Sequence, residues 1–401
     1  MLAQAALELN ARGVGQVSLG DVATRLGVTR TALYNYVGDQ KDLVFQCYRQ
    51  SCEVMARTLT RVRQRHGDAL DCIDAFVDAM AEPANAPIAA ITDLAFLDDD
   101  QRDTVTGLLS GVISELAHVI EAGVRAGAIR PCSPILVARA ILAFVSWPPL
   151  LPPTNPGLVE QAQPHLIETT KSLLRWGMAA TRRELIGLQP TPEASTADLV
   201  TNVFERSALA KAKKDALLAK GSRILNAKGV ELTSLDEIAA SVGVSKTVIY
   251  HNIGDKPTFV LECYRRSHQI ALGIADRMER STEDRATAIA TALYQIAFAH
   301  LQDDAPLLFP VVGFATLSET IVSETRETNQ SLEAVYERAV RAGFAEGTVR
   351  RLDVASLLSM MPATIQWLDK WRSIPSGLDA DDKETASEIA QLVGVGLSPL
   401  K

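Results

Sequence analysis

The chain has 401 residues, of which 47% are hydrophobic and 22% charged, a balance that excludes an intrinsically disordered protein and leaves room for several folded domains. Aromatic residues make up only 5%, which suits packed helices better than sheets, since strands favour aromatic and β-branched side chains. The net charge of −8 argues mildly against nucleic acid as a partner, but a local basic face can lie on an acidic body.

The N-terminal segment lacks the features of a secretory signal, because Glu8 and Asn10 stand where its apolar core would lie. No run reaches the roughly 18 uninterrupted apolar residues of a membrane span. The five cysteines form no CxxC pair and leave an odd thiol in any disulfide scheme. We therefore expect a cytoplasmic protein without a membrane segment.

Two stretches of the chain repeat each other. The segment from Leu9, LNARGVGQVSLGDVATRLGVTRTALYNYVGDQ, aligns without a gap with the segment from Leu225, LNAKGVELTSLDEIAASVGVSKTVIYHNIGDK. Aligning Gly13 with Gly229 gives an offset of 229 − 13 = 216. The same offset places Gly127 on Gly343 far downstream, so the sequence predicts that a whole unit of domain size was duplicated. The seam is expected in the Pro-, Thr- and Ser-rich stretch 187–199.

Each copy predicts short helices with marked starts and stops. In the first copy, Ser18 with Asp21, then Thr29 and Asp39, are typical N-cap residues, and Gly27 fits the turn between two helices. The counterparts in the second copy are Ser234 with Glu237, Ser245, Asp255 and Gly243. Two short helices joined by a tight turn that contains Gly indicate a helix-turn-helix unit.

A few apolar positions should form the small core of each unit. We expect Val28 and Leu33 in the first copy, with Val244 and Ile249 in the second, to point inward. Cys47 and Cys263 occupy equivalent positions on an apolar helix face, so they are expected to be buried thiols.

Further amphipathic segments follow each unit and predict a helical domain. In the first copy they cover 68–81, 103–127, 134–147 and 160–186, and in the second 283–301, 318–343, 351–370 and 383–396.

Both copies resemble the DNA-binding region of the TetR (tetracycline-repressor) family. The shared pattern is a capped helix, the motif A-x-x-x-G-V-[ST]-[KR], and a helix that carries Tyr34 or Tyr250. The resemblance implies an all-α fold of two tandem protomers, each with an N-terminal helix-turn-helix domain and a C-terminal helical domain for ligand binding and dimerisation. Relatives of this type pair two protomers through their last two helices.

The second helix of a helix-turn-helix enters the major groove by its N-terminal end, and the first lies across the backbone. This geometry and the resemblance together give the candidate DNA-binding residues. They are Arg30, Thr31, Tyr34, Asn35, Tyr36 and Lys41 in the first copy, and Lys246, Thr247, Tyr250, His251, Asn252 and Lys256 in the second. The tyrosines correspond to a family residue that bonds phosphate, which positions the protein without specifying sequence.

The two units differ in charge. Residues 1–50 carry five basic and four acidic side chains, and residues 208–267 carry ten and six, so the balances are +1 and +4. The family tends to place a phosphate-binding lysine where Lys256 stands, whereas the first copy has Gln40 there with Lys41 beside it. We therefore expect the second unit to bind DNA more strongly.

A largely apolar small-molecule effector of unidentified structure is expected in the helical domains. The candidate ligand-binding residues are Phe96, Phe144, Trp147, Phe314, Met361 and Trp367, with plain core positions as the alternative for each. We predict no metal, no cofactor and no enzymatic activity, because the chain lacks a phosphate-binding Gly-rich loop, metal-ligand spacing and a GxSxG elbow.

These inferences define five segments: a first helix-turn-helix domain at 1–45, a helical regulatory domain at 46–188, a linker at 189–207, a second helix-turn-helix domain at 208–262 and a second regulatory domain at 263–401. The predicted function is that of a ligand-responsive transcriptional repressor, acting as an intramolecular pseudo-dimer on an imperfect palindrome of double-stranded DNA. One alternative is a homodimer of chains in which only the second unit reads DNA. The other is a ligand-binding or scaffolding protein that has lost DNA binding in one or both units.

Overall fold

Every regular element among the described residues is a helix, as the sequence predicts. The structure, a computed structural model, describes residues 1–82, 85–151, 156–190, 206–303, 305–309, 317–369, 374 and 380–400, without the side chains of 206–210. An isolated antiparallel bridge joins Ala179 and Val349.

The first half of the chain forms nine α-helices within these ranges. They are α1 Leu2–Arg12, α2 Leu19–Leu26, α3 Arg30–Tyr34, α4 Gln40–Arg63, α5 Ala69–Ala81, α6 Asp99–Arg125, α7 Pro134–Ser146, α8 Pro156–Ala162 and α9 Leu166–Trp176. Short 3₁₀ turns lie at Leu94–Phe96, Pro148–Leu150 and Gln163–His165.

The second half repeats this order with local differences. Its described helices are α10 Arg206–Lys228, α11 Leu235–Ser241, α12 Lys246–Asn252, α13 Lys256–Arg280, α14 Arg285–Leu301, α15 Glu319–Glu346, α16 Val354–Met360, α17 Pro362–Gln366 and α18 Asp382–Val395. The predicted linker 189–207 lies almost wholly outside the described residues.

Two predicted helices are wrong in extent. The segment 160–186 does not form one helix, because α9 ends where Gly177 takes a left-handed φ of 66° and the chain continues in extended form. The segment 351–370 is divided between α16 and α17, since Pro362 stands at the start of the second piece and cannot donate a backbone hydrogen bond to the first.

The helix starts follow the predicted caps. The hydroxyl of Ser18 accepts from the N–H of Asp21 at 3.0 Å, and that of Ser234 accepts from Glu237 N–H at 3.1 Å. Asp39 caps α4 in the same way. Each cap satisfies an amide that the first helical turn would otherwise leave without a partner.

The downstream alignment of Gly127 with Gly343 is wrong. Gly127 ends its helix in the left-handed conformation with φ of 71°, and the residue that does the same in the second half is Gly347, with φ of 72°. The offset at this point is therefore 347 − 127 = 220 rather than 216. Only glycine enters this conformation without a steric penalty, which makes it a reliable marker of the helix end.

The helical glycines one turn earlier give the same offset. The carbonyl of Gly123 accepts from the N–H groups of residues 128 and 129 at 2.9 and 3.1 Å, and the carbonyl of Gly343 accepts from those of residues 348 and 349 at the same distances. A Cβ on either glycine would overlap the side chain of Ile129 or Val349. The second half thus carries four more residues than the first between the helix-turn-helix unit and this turn.

The two halves share one hydrophobic core. Its members come from both halves and include Trp147, Phe144, Leu357 and Met360. The indole Nε1 of Trp147 donates to the carbonyl of Ser359 at 2.7 Å, so this fully buried side chain joins α7 to α16. The second helix-turn-helix unit has a separate cluster built around Phe259 and Ile249.

The ends of the two halves cross each other through reciprocal backbone hydrogen bonds. Leu397 N–H donates to the carbonyl of Leu174 at 2.8 Å, and Met178 N–H donates to the carbonyl of Val393 at 2.9 Å. These pairs exchange roles when the halves are interchanged, since 393 − 174 and 397 − 178 both equal 219. Exchange of equivalent contacts is the property of a two-fold interface.

Two arginines extend this crossing. Arg130 Nε donates to the carbonyl of Gly396 at 2.7 Å, and Arg350 Nε donates to the carbonyl of Gly177 at 3.0 Å. Both glycines have positive φ, of 69° and 66°. A side chain at either position would overlap the opposing backbone, so the close approach requires glycine.

Helix α6 is long and apolar enough to satisfy a length and hydropathy test for a membrane span. It nevertheless packs against α4 and α7, with Val105, Ile113, Leu116 and Ile120 buried. One face of α6 thus packs inside the protein.

Candidate nucleic-acid interface

The second recognition helix, α12, is anchored by one apolar side chain and otherwise faces outward. Ile249 is fully buried, whereas Tyr250 is 50% exposed. The predicted contacts Thr247, His251 and Asn252 are exposed as well. Burial of a single anchor leaves the remaining polar surface available to a groove.

Lys246 is exposed but already paired. Its Nζ lies 2.7 Å from Oδ2 of Asp236 on α11 and 5.7 Å from the centre of the Tyr250 ring. The hydrogen bond to Asp236 raises the pKa of Lys246, so the lysine carries its full charge at neutral pH. A phosphate that approached Lys246 would compete with the Asp236 carboxylate.

On the first recognition helix, α3, the cation of the first turn contacts the tyrosine itself rather than a carboxylate. Arg30 Nη2 donates to the hydroxyl of Tyr34 at 3.0 Å, and the guanidinium lies 5.5 Å from the centre of the same ring. Thr31 and Asn35 are exposed, and Tyr36 is 75% exposed at the end of the helix. The contact holds Arg30 and Tyr34 together on the outer face, with Leu33 as the buried anchor.

The side chain at the position of the predicted phosphate-binding lysine makes a hydrogen bond within the protein in both units. Lys256 Nζ donates to the carbonyl of Glu231 at 3.3 Å, and Gln40 Nε2 donates to the carbonyl of Val14 at 2.6 Å. Each side chain ties the start of its long helix to the loop after the first helix. Desolvation lowers the pKa of Lys256, and Lys41 is half-buried.

The prediction that Val28 and Val244 lie in the core is wrong. Their side chains are 45% and 36% exposed. Their N–H groups instead close the helix ends, donating to the carbonyls of Ala23 and Ala239 at 3.0 Å each. Each valine follows a left-handed glycine that turns the chain outward, which a count of apolar spacing does not reveal. Cys47 and Cys263 are buried, as expected.

The two helix-turn-helix units touch each other through the loops that follow α1 and α10. Gln16 Nε2 donates to Oε1 of Glu231 at 2.7 Å, and Gly15 leaves the space that the Glu231 carboxylate fills. No feature of the sequence marks this contact, because the two loops are joined only by the tertiary fold.

An apolar cavity of about 40 Å³ lies behind the first unit, between the two halves. Its walls carry side chains from α4, α6 and α7, together with Trp367 and Ile374 from the second half. Arg139 is its one charged residue among the described lining. Sequence reasoning missed Arg139, although a lone arginine within the apolar run PILVARAILAFVSW was a usable signal.

Of the predicted ligand-binding residues, Trp367 lines this cavity. Phe144, Trp147 and Met361 are buried in the shared core, and Phe96 is half-buried beside it. Phe314 lies outside the described residues. No group of three or more potential metal ligands occurs in the described part of the chain.

The chain is similar to known DNA-binding regulators. Residues 217–263 match the sequence model of the family described as bacterial regulatory proteins, tetR family. This segment spans the end of α10, the helix-turn-helix pair α11–α12 and the start of α13. A comparison with curated proteins found no match.

Solved structures of regulators also align with part of the chain. The TetR-family transcriptional regulator PfmR from Thermus thermophilus aligns at 20% identity over 44% of this chain and 96% of that one, with a TM-score of 0.37. AibR in complex with isovaleryl coenzyme A and operator DNA aligns at 21% identity over 36% and 82%, with a TM-score of 0.32. The described fold is all-helical, and its helix-turn-helix pair α11–α12 lies within the segment that is similar to the tetR-family model.

Proposed function

We propose that this protein is a cytoplasmic, ligand-responsive repressor in which one chain forms a pseudo-dimer. Its two helix-turn-helix units, 1–45 and 208–262, are then the first and second reading heads, the parts that contact DNA. The observation that carries the proposal is the set of reciprocal hydrogen bonds between the ends of the two halves. A surface that already pairs with its counterpart within the chain is not available to a second chain.

Both reading heads carry the side chains that such a role needs. Each recognition helix keeps one apolar anchor inside and presents a tyrosine beside a cation, Arg30 with Tyr34 and Lys246 with Tyr250. Charged and hydroxyl groups on the first turn of such a helix can reach base edges and phosphates.

The two heads are not identical, and this supports an imperfect palindrome. Arg30, Asn35 and Tyr36 in the first head stand where the second has Lys246, His251 and Asn252. Different side chains at these positions recognise different bases, so the two half-sites should differ.

The basic face is also larger on the second head. Lys211, Lys213 and Lys220 of α10 are exposed. Residues 208–267 carry a charge balance of +4, against +1 for residues 1–50, so the second head offers more cationic groups to phosphates. We therefore propose that the second half-site contributes more of the affinity.

Selection of bound sequences from random duplex DNA, followed by sedimentation of the complex, tests the proposal. We expect one chain per operator, with two unlike half-sites about 34–36 Å apart. Two chains per operator would overturn the pseudo-dimer and favour a homodimer read by the second head alone. Failure to enrich any sequence would favour a protein that has lost DNA binding.

Substitutions on the heads give an independent check. Tyr250→Phe and Lys246→Ala should weaken operator binding, each by roughly 10-fold if one charge-assisted hydrogen bond is lost. Tyr34→Phe should have a smaller effect. Lys383→Ala is the matched control, because Lys383 is exposed on α18, in the helical domain of the second half.

A further inference from the structure

An ion pair between Lys246 and Asp236 distinguishes the recognition surface of the second head. Lys246 is the first residue of α12, and Asp236 lies near the start of α11, so their contact at 2.7 Å crosses the helix-turn-helix turn. The two side chains are 43% and 64% exposed. The neighbouring Glu237 pairs instead with Lys228. The charge of Lys246 is therefore already balanced on the outer face of this unit.

The first head has a cation at the same place, with glycine in the position of the carboxylate. The offset of 216 places Gly20 opposite Asp236 and Arg30 opposite Lys246. Arg30 Nη2 donates to the hydroxyl of Tyr34, an uncharged group, at 3.0 Å. Arg30 thus keeps its net positive charge, whereas the charges of Lys246 and Asp236 cancel.

A balanced pair discriminates between the two kinds of contact that DNA offers. Binding to phosphate gains its free energy largely from charge neutralisation and the release of counterions. The neutral pair gains little in this way, because a phosphate beside Lys246 also meets the negative charge of Asp236. A base edge carries no net charge, and an ammonium group has three donors, so Lys246 can donate to a base while it stays paired.

The pair also restricts which base fits. Lysine donates to the O6 and N7 acceptors of guanine in the major groove. A free lysine is a mobile point charge on a flexible stem, but the hydrogen bond to Asp236 uses one donor of Nζ and limits the directions left to the others. A donor held in this way matches fewer base pairs than a mobile one does.

Other cations of the second head are placed to attract phosphates. Lys211, Lys213 and Lys220 are exposed on α10, outside the recognition helix. Contacts of this kind position a protein on DNA without reading its sequence. The second head therefore does not need the charge of Lys246 for general affinity.

We propose that Asp236 determines specificity in the second head by holding Lys246 for a guanine edge and away from phosphates. Asp236 acts through Lys246 and is in this sense a positioning residue. The inference rests on the proposed DNA-binding function and deepens it, because it assigns one position of the second half-site.

Binding of the full chain to its selected operator and to a duplex of scrambled sequence, at several salt concentrations, tests this role. Asp236→Asn keeps the shape of the side chain and removes its charge. We expect the variant to bind the scrambled duplex more tightly, with a slope of log affinity against log salt that is steeper by about one unit. The ratio of operator affinity to scrambled affinity should fall by about 10-fold.

Two further variants separate positioning from a general effect of charge. In a Lys246→Ala background, Asp236→Asn should leave the salt slope unchanged, because the cation that it would release is absent. Asp276→Asn removes an equal charge from an exposed ion pair with Arg280. Asp276 lies about 30 Å along α13 from the start of that helix, so its substitution should change neither the slope nor the ratio.

The reciprocal substitution transfers the pair to the first head. Gly20 lies within α2, and a Cβ there would be 3.6 Å from the hydroxyl oxygen of Ser18, an ordinary van der Waals distance. Gly20→Asp should therefore be accommodated and should pair with Arg30. We expect weaker binding of the scrambled duplex and a salt slope that is shallower by about one unit.

The outcomes distinguish this role from the function on which it rests. Operator binding with the same slope and ratio in Asp236→Asn as in the wild type would overturn the role of Asp236 alone. An equal change of slope in the Lys246→Ala background would also overturn it, because the carboxylate would then act without Lys246. Failure of the wild type to bind either duplex would overturn the proposed DNA-binding function, and this role with it.

Discussion

Gln16 and Glu231 join the two reading heads directly, with the Gln16 amide donating to the Glu231 carboxylate at 2.7 Å. α1 is attached to the helical body through residues 88–90, and α10 through Asp369 and the 3₁₀ turn at Leu94–Phe96. The contact is thus a direct hydrogen bond between the two helix-turn-helix units.

Gln16→Ala should relax the spacing that the protein demands between half-sites. The hydrogen bond is exposed, so its loss should cost less than about 1 kcal/mol of unfolding free energy. Affinity for selected operators with one base pair inserted or deleted at the centre measures the effect, with Gln161→Ala on α8 as the control. Equal discrimination by wild type and variant would mean that the body alone sets the spacing.

Arg130→Ala should destabilise the chain more than Arg350→Ala. Arg130 pairs with Glu388 at 2.6 Å as well as with the Gly396 carbonyl, so its removal leaves a largely buried carboxylate without its cation. We expect Arg130→Ala to lower the unfolding free energy by about 3–5 kcal/mol. Arg350→Ala should lower it by about 1–3 kcal/mol, because Arg350 donates only to uncharged acceptors.

Urea unfolding measures both values. Arg183→Ala is the control, because this side chain is 70% exposed and its ion pair with Asp284 lies at the surface. A loss below about 1 kcal/mol for both core arginines would contradict a stabilising crossing of the two halves.

Ser51→Ala and Ser267→Ala should have closely similar costs. Ser51 Oγ accepts from Ala89 N–H at 2.8 Å, and Ser267 Oγ accepts from Leu308 N–H at 2.7 Å, both in buried surroundings. Either substitution leaves a buried amide without its acceptor, which costs about 1–3 kcal/mol.

Thermal or urea unfolding again gives the comparison. Ser331→Ala, on the exposed face of α15, should change stability by less than about 0.5 kcal/mol. A large difference between the two buried serines would show that the matching hydrogen bonds are not energetically equivalent.

His268 should make the chain less stable in mild acid. Burial lowers its pKa, against the opposing effects of the hydrogen bond with Asn329 at 2.6 Å and the charge of Glu324. A histidine with a depressed pKa contributes stability above its unfolded value of about 6.5, and this contribution is lost as the pH falls through its lower folded pKa.

The unfolding free energy of the wild type should therefore fall from pH 7 toward pH 5, with a slope of at most about 1.4 kcal/mol per pH unit from this group. His268→Gln should flatten that fall, and His165→Gln, at an exposed position, should not. Parallel pH profiles for wild type and His268→Gln would contradict the assignment.

The sequence by itself determined the helix-turn-helix units. Ser18, Thr29 and Asp39, with the counterparts Ser234 and Asp255, mark helix starts because a cap acts on amides only two or three residues away. Ser245 precedes α12 without a side-chain cap hydrogen bond. The buried anchors Leu33 and Ile249 could also be predicted, because helical spacing is a local property of the sequence.

The tertiary structure alone decided the features that join distant residues. Lys246 meets Asp236 across the turn, Gln16 meets Glu231 across the halves, and the offset changes from 216 to 220 within the helical domain. Arg139 and Trp367 line one cavity only because the fold brings the two halves together. Local patterns set caps and periodicity, but the charge environment of a side chain depends on what the whole fold brings against it.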